Sequence, residues 1–119
     1  MNSEKVTVWH NPHCSKSRQA LELLQERGIT PQVVRYLETP PTKDELQKVL
    51  TLLGWKPRQL LRSTEALYKE LGLADSGLSD EALLTAMVAN PRLIERPVVI
   101  TGQWAVVARP TEKLVELLG

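Results

Sequence analysis

The sequence predicts an α/β fold, and three observations carry that prediction. Short β-branched runs stand near both ends of the chain, leucine-rich stretches of helical period fill the middle, and the one cysteine, Cys14, sits where the first strand-like run gives way to the first helix.

Val6, Val8 and Trp9 form a β-branched and aromatic run that stops at the turn pair Asn11-Pro12. Ala20, Leu21, Leu23 and Leu24 then give a helix its apolar face; Ser15 or Ser17 can cap it, and Gly28 supplies a left-handed stop. Val33, Val34 and Tyr36 read as a second strand. Strand, helix and strand with so short a connection specify a right-handed βαβ unit with parallel strands. Pro40-Pro41 end that strand, and Thr42 with Glu45 makes a capping box ahead of Leu46, Val49, Leu50 and Leu53. Further helical segments lie at about Arg58 to Leu61, Glu65 to Leu71 and Ser79 to Ala89, separated by Gly54, Pro57, Gly72 and Gly77 and closed by Asn90-Pro91. The end returns to β. Pro97 to Ile100 and Ala105 to Ala108 flank Thr101-Gly102-Gln103-Trp104 as a hairpin, and Thr111 to Leu118 makes a final helix. The expected architecture is a single domain over residues 1–119: a thioredoxin-like α/β core with a helical insertion, about residues 40–92, between the second and third strands.

Composition bounds the chemistry. A chain of 119 residues can bury a core without disulfides or a structural metal. One cysteine excludes an internal disulfide and fits a reducing compartment, so a second sulfur must come from another molecule. Met1 to Lys5 is short and polar and no apolar run approaches the ~18 residues of a membrane span, which reads as a soluble, cytoplasmic protein with no membrane partner. Fifteen Lys plus Arg against fourteen Asp plus Glu leave a charge of +1, no global case for binding nucleic acid.

A lone cytosolic cysteine is most often an inert buried side chain. Cys14 instead stands among polar residues just ahead of a helix, whose free first-turn N–H groups and dipole favour a thiolate. The interval from Cys14 to Arg18 is too short for the phosphate-cradle loop of cysteine phosphatases. His10 and His13 beside Cys14 lack a second Cys/His cluster, so no metal is expected. A nearby histidine can stabilise a thiolate by charge or by a hydrogen bond. Ser15 and Ser17 can cap the helix or donate to the sulfur.

Arg62, Arg96 and Arg109 are the candidate anion ligands, since a planar guanidinium matches an oxyanion bidentately. Any one of them alone reads as a solvated surface charge. Arg96 and Arg109, however, bracket the hairpin in matching Arg-Pro pairs. Arg96-Pro97 is also a candidate cis peptide beside the thiol.

His10-Asn11-Pro12-His13-Cys14-Ser15-Lys16-Ser17-Arg18, Tyr36-Leu37-Glu38-Thr39-Pro40-Pro41-Thr42, Leu60-Leu61-Arg62, Tyr68-Lys69-Glu70-Leu71-Gly72-Leu73, Asn90 to Ile100 and Ala108-Arg109-Pro110 together resemble the glutaredoxin-linked arsenate reductases of bacteria, from Val6 to about Leu118. The resemblance implies a thioredoxin-like fold and reduction of arsenate to arsenite, with no bound cofactor, glutathione as reducing co-substrate and glutaredoxin as partner. It puts the nucleophile on Cys14 and the oxyanion-handling arginines on Arg62, Arg96 and Arg109. The histidine and serine that favour the thiolate fall on His10 and Ser17, and the cis-proline on Pro97. Asn11 and Arg18 match the active-site loop. Two departures stand out: Ser15 and Lys16 replace the glycine and threonine of the better-known reductases, and those carry a longer tail beyond the position of Gly119. A monomer is expected. Two alternatives remain: a thiol-dependent reductase of another oxyanion or a glutathione adduct, and a non-enzymatic regulator binding RNA polymerase. Such regulators sense through a Cys-x-x-Cys pair, which Ser17 breaks here.

Overall fold

The computed structural model describes residues 5–118; the expectations that rest on Met1–Glu4 and Gly119 lie outside the described residues. The chain divides into two compact units, Met1–Thr39 with Arg96–Gly119, and Pro40–Glu95.

The first unit holds one four-stranded sheet. Strand β1 (Thr7–Trp9) is followed by α1 (Ser15–Glu26) and β2 (Gln32–Val34), and later by the hairpin β3 (Val98–Ile100) and β4 (Ala105–Val107) and a last helix (Glu112–Leu118). The order across the sheet is β2-β1-β3-β4, with β1 parallel to β2 and antiparallel to β3. Val8 and Val99 pair across the sheet and pack with Ala20 and Leu24 of α1 and Leu114 of the last helix, so both helices share one apolar cluster. Strands of three residues contribute few side chains each, which explains why the two helices supply so much of it.

Helix α1 ends as expected. Gly28 adopts φ +74°, its amide bonds the Gln25 carbonyl, and the Ile29 amide bonds that of Leu24. This double bond pattern satisfies carbonyls that the helix leaves open. Its start differs from expectation: neither serine caps it. Cys14 itself is the cap residue, in extended conformation, and makes no side-chain capping bond.

Strand ends also differ, and β4 stops at Val107 rather than Ala108. Tyr36 lies in a turn after β2, closed by bonds from the Glu38 and Thr39 amides to the Arg35 carbonyl, and its ring is buried. An apolar ring needed for burial therefore mimicked strand periodicity. Strand β3 starts at Val98 rather than Pro97, because proline has no N–H to give; its carbonyl still accepts from the Ala108 amide at 3.0 Å.

The second unit is helical: α2 (Lys43–Leu53), α3 (Pro57–Leu60), α4 (Ala66–Glu70) and α5 (Asp80–Ala89), then a 3₁₀ turn at Pro91–Leu93. Thr42 and Glu45 exchange both bonds of the capping box, at 3.1 and 2.9 Å, and Gly54 ends α2 at φ +70°. Helix α5 touches α2, α3 and the 3₁₀ turn, burying Leu83, Leu84 and Met87. The last helix, back in the first unit, is α6 (Glu112–Leu118). Among the described residues no helix is long and apolar enough to cross a membrane.

Candidate active site

Register places the chemistry. Trp9 pairs with Val34 on one side and with Val98 on the other, and Val98 pairs with Val107. The chain therefore leaves β1, β2 and β4 and enters β3 at one end of the sheet. The loops that gather there carry His10 to Cys14, Arg35, Arg96-Pro97 and Arg109.

Cys14 is buried at the head of α1, and Arg109 Nη1 donates to its Sγ at 3.8 Å. That guanidinium arrives from the far end of the chain. The loop before Cys14 spends its own amides internally: Asn11 N–H donates to Ser17 Oγ (3.3 Å), His13 N–H to Asn11 Oδ1 (3.0 Å) and Cys14 N–H to the Asn11 carbonyl (3.0 Å). Arg18 Nη1 braces the same loop by donating to the Pro12 carbonyl at 2.9 Å. What these bonds leave open is the first turn of α1, whose N–H groups face no side-chain cap. Such an end favours negative charge.

Ser17 is fully buried and accepts from Asn11; no hydrogen bond from it to the Cys14 sulfur is present. His10 is buried with its amide on the Val34 carbonyl, and its Nδ1 finds no partner among the described residues. Burial first, then the guanidinium groups of Arg35 and Arg18, push the His10 pKa below its ordinary 6.5. At neutral pH the ring is therefore uncharged, which removes the electrostatic route by which it could favour a thiolate and leaves the hydrogen-bonding one. His13 is exposed.

Arg96 and Pro97 are joined by a cis peptide bond, and so are Arg109 and Pro110, the second of which sequence did not suggest. Arg96 Nε and Nη1 are buried and find no acceptor among the described residues. A buried N–H without an acceptor is costly, and more so when charged.

Arg62 belongs to the helical unit. It follows the antiparallel bridge Leu61↔Ile94, and carboxylates already engage it: Glu65 Oε2 lies 3.1 Å from Nη1 and Glu95 Oε1 3.7 Å from Nε. Sequence reading missed Glu65 and Glu95, as it missed Arg35. Charged residues in turns carry no periodic signal, and only the fold says which of them meet. No group of three or more His, Cys, Asp and Glu side chains is placed to hold a metal among the described residues.

Residues 9–117 match the ArsC family. The chain is 51% identical over 118 residues to the uncharacterized protein YfgD of Escherichia coli K12, covering 98% of this chain and 99% of that one. It is 46% identical to an arsenate reductase of Neisseria meningitidis, covering 96% of this chain and 98% of the relative. A solved arsenate reductase from Vibrio cholerae superposes with a TM-score of 0.93 at 49% identity, covering 97% of this chain and 98% of that structure. Fold and sequence therefore agree on an α/β, thioredoxin-like architecture, and the chain belongs to the ArsC family.

Proposed function

We propose that this protein is an oxidoreductase that reduces arsenate to arsenite through Cys14, with glutathione as reductant and glutaredoxin resolving the product disulfide. The observation that carries the reading is the Arg109 guanidinium on the Cys14 sulfur at the open head of α1. A thiolate paired with a fork of N–H donors is equipped to attack an oxyanion that would otherwise repel it.

In the first step Cys14 sulfur forms a bond to arsenic(V), and one arsenate oxygen, after protonation, leaves as water. Arg96 and Arg109 bind and neutralise the oxyanion, and the first-turn amides of α1 stabilise its charge. Arg62 joins them in this reading on the family resemblance. In the second step glutathione thiolate attacks the Cys14 sulfur; the S–As electron pair stays on arsenic, which leaves as arsenic(III) and takes up protons to give arsenite. The enzyme is left as a mixed disulfide with glutathione. With no second cysteine in the chain, glutaredoxin attacks the glutathione sulfur and frees Cys14 as a thiolate. His10, neutral at working pH, and Ser17 support the thiolate and its loop. Asn11 holds the loop through its side chain. The dependence on cellular thiols fits a cytoplasmic protein.

Steady-state arsenate reduction by the purified chain with glutathione and glutaredoxin tests this. Cys14→Ser should abolish turnover, and Arg96→Ala should lower kcat/KM for arsenate by about 100-fold. Activity surviving Cys14→Ser would sink the mechanism. Turnover only on glutathionylated substrates, or retention of RNA polymerase without turnover, would replace the function with one of its two alternatives.

A further inference from the structure

Two side-chain contacts join the N-terminal part of α1 to the segment that enters α6. One is Arg109 Nη1 on Cys14 Sγ at 3.8 Å; in the other the Thr111 hydroxyl donates to Gln19 Oε1 at 3.1 Å. Their ends are close in sequence on both sides, Cys14 beside Gln19 and Arg109 beside Thr111, although 92 positions separate Gln19 from Thr111. All four residues belong to the first unit.

Arg109 is exposed, and a long guanidinium side chain has many rotamers to lose when it settles on one atom. The benefit of a cation to a thiolate also falls as the cation retreats. On one side of Arg109 the backbone is fixed by the sheet: the Ala108 amide donates to the Pro97 carbonyl at 3.0 Å, and the Arg109 amide to that of Val107 at 2.8 Å. On the other side Leu114 of α6 is buried in the apolar cluster with Ala20 and Leu24 of α1. Between these anchors the chain crosses from β4 to α6 with Arg109 and Pro110 exposed, and the Thr111 hydroxyl ties that crossing sideways to α1. A neutral hydrogen bond near the surface adds little to global stability, so its consequence is local.

We propose that Gln19 and Thr111 are positioning residues for the Cys14 thiolate: their hydrogen bond holds the entry to α6 against α1 and thereby keeps the Arg109 guanidinium on the sulfur. This rests on the reading of Cys14 as a nucleophile that Arg109 activates.

The test is the rate of Cys14 alkylation by iodoacetamide in the full chain, at pH about 7 and about 10, with thermal midpoints recorded alongside. One cysteine in the chain makes the reaction report on a single site. A cation that favours the thiolate raises the rate at the lower pH and matters little where a thiol is already largely ionised. The ratio of the two rates therefore reads the Arg109 contact and cancels changes in access. Thr111→Val should lower that ratio about threefold, the scale of one neutral hydrogen bond, while Thr111→Ser keeps the hydroxyl and should hold the parent value. Gln19→Ala should match Thr111→Val, and the double variant Gln19→Ala/Thr111→Val should fall no further, since the same bond is lost in all three. Arg109→Gln should lower the ratio at least as much, and adding Thr111→Val to it should change nothing. An unchanged ratio in Thr111→Val beside a lowered one in Arg109→Gln overturns the positioning role and leaves the Arg109 contact standing. A Thr111→Val loss that persists in full without Arg109 overturns it too. An unchanged ratio in Arg109→Gln removes the inference, whereas the proposed function is judged separately by arsenate turnover and its loss in Cys14→Ser.

Discussion

Cys14 and His10 illustrate how far a residue's chemistry depends on its neighbours. The thiol was legible as a candidate nucleophile from its junction position. Its Arg109 partner emerges only from strand order, because 95 positions separate the two. His10 shows the converse: its place beside the cysteine suggested support by charge or by a hydrogen bond, and burial and two guanidinium groups, which lower its pKa from 6.5, disfavour the charged form. The sign of the linked stability follows. As pH falls below about 6.5 the unfolded chain takes up a proton at His10 before the folded chain does, so that contribution is complete above 6.5 and is lost on acidification. Urea unfolding at about pH 7.5 and 5.5 should therefore show a smaller acid loss for His10→Gln than for the parent chain. Equal losses would mean that His10 is not the group responsible.

At the scale of elements, sequence reading succeeded where the determining contacts are local. The Thr42–Glu45 box and the Gly28 stop each close within a few residues, so residue types at fixed spacing were enough to name them. Tyr36 was assigned to a strand because burial and strand periodicity look alike over three residues. Ser15 and Ser17 were candidate caps because hydroxyls cap well, yet the loop uses Ser17 to accept from Asn11 and leaves the helix head open. The contrast between the two helix starts is testable. Thr42→Ala should cost about 1 kcal/mol and lower the thermal midpoint by about 4 °C. A midpoint unchanged by that substitution would mean the box contributes nothing to α2.

At the scale of the whole molecule, the proposed function makes stability and ligand binding pull on the same side chain. Arg96 buries two N–H-bearing nitrogens that no described residue satisfies, so the free protein bears a desolvation cost that an oxyanion would relieve. Arsenate at about 100 times its Kd should then stabilise the parent chain by about 2.7 kcal/mol in thermal unfolding. Arg96→Met keeps the aliphatic stem and removes the fork. It should melt no lower than the parent in oxyanion-free buffer and fail to respond to arsenate; an undiminished response would place the binding charge elsewhere.

The contact between Cys14 and Arg109 also bears on how the protein is made. During synthesis the thiol emerges 95 positions ahead of its guanidinium partner, which leaves the end of β4, the strand that pairs with β3. A nascent or unfolded chain therefore carries the cysteine without that contact. The one guanidinium contact of the Cys14 sulfur is thus a product of the finished sheet, not of the local sequence around the cysteine.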